Sequence, residues 1–211
     1  MSTNISVNNQ VDVTGIILEN FVFSHVSFDR ALCSSTIRII RNSGIADDIP
    51  VLIPYGLFNT SCEYMGKMVT LSGQYRSCNL VNNGQKSLDL RIFIKRIIFT
   101  DGNDKCQDNN SIFLDGYICR PPIHRRTPSG LLITDLTLAV NRYSKNDYIP
   151  CICWHLNAVK AGKYKVGDRC KVKGRIQSRE YFKILHDGVK SVKTAYEVSA
   201  SGLSLIHENS I

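Results

Sequence analysis

The chain repeats itself at a spacing of about one hundred residues, and this repeat restricts the fold more than any other feature of its 211 residues. Gly15-Ile16-Ile17 resembles Gly116-Tyr117-Ile118, and Thr36-Ile-Arg-Ile-Ile40 resembles Leu136-Thr-Leu-Ala-Val140. Asp48 to Tyr55 resembles Tyr148 to Trp154 around the shared Ile-Pro pair, and Gly66 to Gly73 resembles Gly167 to Gly174, the offset staying between 99 and 101 residues. Within each copy, short runs rich in Ile, Val, Leu and aromatics lie between Gly, Asn, Asp and Pro clusters, which is how strands read. Asn83-Gly84 and Asp187-Gly188 sit between extended segments and signal hairpins. Each copy holds about five strands and one short helical connection, expected at 55–64 and 154–163. That inventory predicts an all-β chain of two tandem five-stranded OB-fold barrels rather than a sandwich of seven or more strands. The polar stretch 101–111 reads as a linker between a first barrel at 12–100 and a second at 112–207.

Charge separates the two copies. Residues 1–111 hold 10 Lys+Arg against 10 Asp+Glu, whereas residues 112–211 hold 16 against 8, so the whole excess of +8 belongs to the second copy. Clustered cations point to a polyanion, either nucleic acid or an anionic membrane surface. No membrane span is expected, because the most apolar run, 91–99, is interrupted by Arg91, Lys95 and Arg96. The N-terminus lacks the basic start and apolar run of a secretory signal, which predicts a cytoplasmic protein.

Catalytic, cofactor and metal chemistry find no support in the motifs. The eight cysteines, at 33, 62, 78, 106, 119, 151, 153 and 170, include no Cys-x-x-Cys pair, so they read as small buried hydrophobes, with no metal and no disulfide framework. Neither Gly66-Lys67 nor Gly162-Lys163 continues as a phosphate-binding loop, and no Gly-x-Ser-x-Gly elbow occurs. The histidines at 25, 124, 155, 186 and 207 form no ligand pair, and Cys153 with His155 lacks a third orienting group. An enzyme is not expected, nor a cofactor.

The second copy resembles the bacterial single-stranded DNA-binding protein family. The resemblance rests on Arg126 to Arg142, Asp147-Tyr-Ile-Pro-Cys-Ile-Cys-Trp154, Val172-Lys-Gly-Arg-Ile-Gln-Ser-Arg-Glu-Tyr181 and Thr194-Ala-Tyr-Glu-Val198, and it covers nearly all of 113–207. The first copy matches in outline only, through Ile49-Pro50 and Gly66 to Ser77. The resemblance implies sequence-tolerant binding of single-stranded DNA in replication, recombination or repair, with bases stacked on aromatic side chains along a basic groove. By motif position the platforms are Tyr143, Tyr148, Trp154 and Tyr181, with Trp154 alternatively a core residue. The phosphate ligands are Arg120, Arg125, Arg126, Arg142, Lys171, Lys173, Arg175, Arg179 and Lys183. Tyr148 and Trp154, six apart, fall on one side of an extended strand, and Lys171, Lys173 and Arg175 alternate onto one face of another.

The first copy departs from this pattern. Asp48 and Leu80 stand where Tyr148 and Tyr181 stand, and Tyr55 is matched to Trp154, so it reads as a barrel kept for structure or pairing. The resemblance also implies a homodimer presenting four barrels to one strand. The acidic recruiting tail common in the family is not seen, since the sequence given closes on Ile206-His-Glu-Asn-Ser-Ile211. Two rival readings stay open at this stage: an RNA-binding OB protein, or a protein-interaction subunit of a replication complex.

Overall fold

Strand propensity and two-residue alternation are realised almost throughout the computed structural model, which describes residues 7–27, 29–82, 85–100, 109–143, 145–184 and 190–206. The first copy forms β1 (Asn9–Ile17), β2 (Val22–Ser27), β3 (Arg30–Ile40), β4 (Ala46–Pro54), β5 (Met68–Asn82) and β6 (Gln85–Phe99). The second forms β7 (Asn110–Ile118), β8 (Ile123–Arg126), β9 (Leu132–Arg142), β10 (Lys145–Trp154), α1 (His155–Ala161), β11 (Arg169–Ile184) and β12 (Lys190–Ile206).

Five strands close into a ring in each copy. β1 pairs with β3 and β5, β3 with β4, β4 with β6 in parallel, and β6 with β5. The same circuit runs through β7, β9, β10, β12 and β11. Short β2 and β8 lie outside the rings, pairing with β3 and β9. Inward positions alternate as the pleat demands: Ile49, Val51 and Ile53 in β4, and Ile149, Cys151 and Cys153 in β10, are buried. Each ring turns its corner at a bulge, opposite Gly73 in one copy and Gly174 in the other. Glycine is required at both, because a Cβ there would be driven into the carbonyl of Phe93 or Ser199.

The expected helical connections divide. Residues 155–161 are helical, as their Leu, Ala and Lys content favours, whereas 55–64 form turns. Gly56 takes positive φ, Asn59 Oδ1 accepts from the Ser61 N–H, and Asn20 Oδ1 accepts from the Tyr64 and Met65 N–H groups. Tyr64 is thereby held in an aromatic cluster with Phe21, Phe58 and Phe99, which does the packing that a helix does in the second copy. The cysteines also divide: Cys33, Cys151, Cys153 and Cys170 are buried as expected, but Cys62 and Cys78 are exposed.

β1 and β7 pair antiparallel and join the rings into one twelve-stranded sheet. Val11 faces Ile112, its own equivalent one repeat later, so a pseudo-two-fold axis passes through that pair. The surrounding contacts obey it. Asn9 brackets the Tyr75 backbone with two hydrogen bonds, and Asn110 does the same to Ile176. Asp47 accepts from the Ser178 N–H and Oγ–H, while Asp147 accepts from the Ser77 N–H. β7 starts at Asn110, inside the stretch read as linker, and residues 101–108 lie outside the described residues. The two hairpin dipeptides lie outside them too, although β5 and β6 pair as far as Asn82 and Gln85. Among the described residues no helix is long and apolar enough to cross a membrane.

Candidate nucleic-acid interface

Cross-strand register decides which side chains of the second barrel share a face. Arg175 pairs with Ser199, Ser199 with Ile152 and Ile152 with Asp135, and directly paired residues project to the same side. By alternation from that row, Tyr148 and Trp154 on β10 and Lys171, Lys173, Arg175, Arg179 and Tyr181 on β11 all project outward. Val172, Ile176, Ile149, Cys151 and Cys153 point the other way and are fully buried or nearly so. Tyr148 and Tyr181 are 42% and 41% exposed, leaving part of each ring free for a planar ligand. Trp154 is partly buried and, with Arg175, walls an open depression floored by Gly174, Ser199, Ala200 and Ser201.

The cations differ in availability. Arg179 lies over the Tyr181 ring at 5.9 Å and donates to Glu197, a buried carboxylate also held by Gln177. Arg125 donates twice to Asp135, and Arg126 donates to the Gly130 carbonyl at the far edge of the sheet. Lys173, Arg175 and Arg120 are exposed, and Lys171 is half-buried. Arg142 departs from the expected groove, because its position in β9 alternates toward the other barrel, where it meets Asp147 at 3.6 Å. Tyr143 is fully exposed in the turn after Arg142, beyond the last paired residue of β9. The Lys183 side chain lies outside the described residues. Burial pushes the Cys153 thiol up to about 12 and that of Cys170 to about 11, so neither supplies a thiolate at neutral pH.

Register also corrects the match to the first barrel. Pro54 pairs with Leu32 as Trp154 pairs with Ile133, so Trp154 corresponds to Pro54, and Tyr55 lies one residue beyond. Asp48 does occupy the Tyr148 position, yet its carboxylate receives two 2.7 Å hydrogen bonds from Arg38 and so is neutralised locally. Sequence reading missed Phe93 and Arg76 on the outward face of the first barrel, where the guanidinium carbon sits 3.6 Å from the ring centroid. They are 17 positions apart, and only the β5–β6 pairing brings them together.

Residues 109–206 match the model of the Single-strand binding protein family. The single-stranded DNA-binding protein of Halalkalibacterium halodurans is 39% identical over 80 residues, which are 34% of this chain and 48% of that protein. The single-stranded DNA-binding protein of Bacillus cereus is 36% identical over 80 residues, 34% of this chain and 47% of that one. The chain therefore spans about half the length of the curated relatives it matches. The crystal structure of the wild-type single-stranded DNA binding protein from Thermus aquaticus superposes with a TM-score of 0.76, covering 96% of this chain and 95% of that one at 18% identity. That likeness is one of fold and extends over both barrels. In sequence, residues 109–206, a little under half of the chain, are similar to the single-strand binding protein family.

Proposed function

We propose that the protein binds single-stranded DNA with little sequence preference, in the cytoplasm, during replication, recombination or repair. Bases stack on Tyr148, Trp154 and Tyr181, and phosphates pair with Lys171, Lys173 and Arg175 beside them. The observation that carries this reading is the common outward face: aromatic planes and cations that form no ion pair among the described residues alternate across β10 and β11 at strand spacing. Stacking suits a sequence-tolerant binder, because every base has a π-face. The role is one of binding without catalysis. The second barrel supplies most of the affinity, the first serves chiefly to pair with it, and two chains associate as a homodimer with four barrels.

Trp154 is the sole tryptophan, so its fluorescence reports the site directly. Titration with oligothymidine at low salt should quench it, and affinity should fall with salt at a log–log slope of about −0.7 per neutralised phosphate. Absence of binding at low salt, or equal affinity for duplex, overturns the reading. Competition with a matched RNA strand tests the RNA-binding alternative, since a reader of the 2′-hydroxyl prefers RNA.

A further inference from the structure

Arg76 in the first barrel is poorly satisfied for a cation. Among the described residues its Nε is buried without a hydrogen-bond partner, and Nη2 donates to the neutral Gln74 Oε1 at 2.9 Å. Its guanidinium lies on Phe93 at 3.6 Å, the spacing of a base on an aromatic ring. Arg142 approaches from the second barrel, joined to the same neighbourhood because Asp147 both meets Arg142 and accepts from the Ser77 N–H. Burial, reinforced by Arg142 and only partly opposed by Asp147, lowers the Arg76 pKa to about 10.

Phe93 belongs to the outward face, since it pairs with Gln74 on one side and Leu52 on the other. Measured from the two bulges, Phe93 corresponds to Ser199, Gln74 to Arg175 and Arg91 to Glu197. The first barrel therefore carries an aromatic where the second has only the floor of its depression, and a cation where the second has a carboxylate. Phe93 and Arg91 lie outside the first-copy segments that carry the family resemblance, whereas Gln74 and Arg76 lie within Gly66 to Ser77.

We propose that Phe93 is a base platform on the first barrel, capped in the free protein by Arg76, and that single-stranded DNA uncaps it. A base takes the ring face, and the guanidinium turns to the phosphate beside that base. The exchange is favourable for Arg76, which trades a neutral amide acceptor for an anionic one, satisfies Nε and gains a counter-charge for the Arg76–Arg142 pair. This inference rests on the single-stranded DNA reading above, and it adds a contact to a barrel otherwise assigned to pairing.

The test uses the full chain with two oligothymidines, one of about 8 nucleotides, enough for one barrel, and one of about 35, enough for several. Phe93→Leu should weaken binding of the long strand about tenfold, one stack, while leaving Trp154 quenching by the short strand unchanged. Phe93→Tyr keeps the ring and should bind like the unsubstituted protein. Arg76→Gln should lower the long-strand salt slope by about 0.7, one phosphate, which loss of a merely structural arginine would not do. Ultraviolet crosslinking of the unsubstituted protein to the long strand should yield a Phe93 peptide adduct, a readout that stands even if Phe93→Leu fails to fold. Folded Phe93→Leu within twofold of the original, an unchanged slope in Arg76→Gln, or no adduct at Phe93 overturns the proposal while leaving the second-barrel site intact. Failure of the unsubstituted protein to bind either strand overturns the DNA reading itself.

Discussion

Trp154 and Tyr148 offer separate platforms on β10, so their joint removal subtracts two stacks. At roughly 1–3 kcal/mol each, and taken as additive, the double change to Ala should weaken single-strand affinity at least about 30-fold. Tyr55→Ala should move it by less than about threefold, well below one stack, because Tyr55 lies outside the register of Trp154 and packs edge-on to Phe58. Equal losses in the two folded variants, read by fluorescence or anisotropy, would reverse the assignment. The buried carboxylates at the barrel junction make a second residue-scale comparison. Burial alone would raise the Asp47 pKa, but hydrogen bonds from Arg41 and Ser178 outweigh it and hold the carboxyl below the usual range. Its contribution to stability is therefore complete above the ordinary carboxylate pKa of about 4 and is lost as pH falls through the lowered folded value. Asp147 is shifted the other way, raised by burial that the Ser77 N–H and Arg142 offset only in part. Its contribution is present below the ordinary pKa and lost as pH rises through the raised one. Asp47→Asn, which strips Arg41 of its buried partner, should cost about 3 kcal/mol in urea unfolding at pH 7 and less near pH 3.5. Asp147→Asn should cost under about 1 kcal/mol at pH 7, because the amide oxygen still accepts from Ser77. Similar costs for the two changes at pH 7 would refute the contrast.

At the scale of elements, the bulges set which residues of β11 and β12 face one another. Lys173 pairs with Gly202 and Gly174 with Ala200, leaving Ser201 as the extra residue beside the Trp154–Arg175 depression. Gly174→Ala forces a methyl against the Ser199 carbonyl, and relief requires the strands to part or slip. The expected loss is about 2 kcal/mol of stability, the scale of an overpacked core, together with weaker binding from the displaced Arg175. Thermal melts and the oligothymidine titration check both, and a variant as stable as the original would show that the bulge does not need glycine. The helix has a lesser part. α1 lies against β9 through Thr134, whose hydroxyl donates to the Ala158 carbonyl, and so covers one end of the second barrel while the aromatic cluster around Tyr64 serves the first.

At the scale of the molecule, the two barrels are bound by more than a connecting segment. The β1–β7 pairing, the two Asn brackets and the Asp47 and Asp147 contacts form a pseudo-symmetric interface with continuous apolar packing across it. Limited proteolysis should cut within 101–111, and the nicked halves should still elute from gel filtration as one particle. Early cuts inside both barrels, with that stretch protected, would count against the domain division. Light scattering should give the mass of two chains, since closed two-fold dimers are the commonest oligomers and four barrels then meet one strand. A monomer mass at working concentration would remove the four-barrel arrangement without touching the site on β10 and β11.

Barrel number and the shared side of Tyr148 and Trp154 were legible in the chain itself. The repeat supplies the first, and the two-residue period of a strand supplies the second, because neither needs the pairing of distant strands to be known. The location of the positive charge was legible as well, by counting. Everything that depends on register across strands was decided only on folding. Arg142 faces Asp147 and not the groove, Pro54 and not Tyr55 stands opposite Leu32, and Arg125 and Arg179 meet the carboxylates of Asp135 and Glu197. Residues 55–64 turn where a helix was expected, because Phe21 and Phe99, distant in sequence, hold Tyr64 between them. Arg76 and Phe93 have no meaning as a pair until β5 and β6 align. The reason is common to all of these: alternation tells a side chain which face it takes, but its partner on that face comes from a strand tens of residues away, and the chain's linear order carries no record of that pairing.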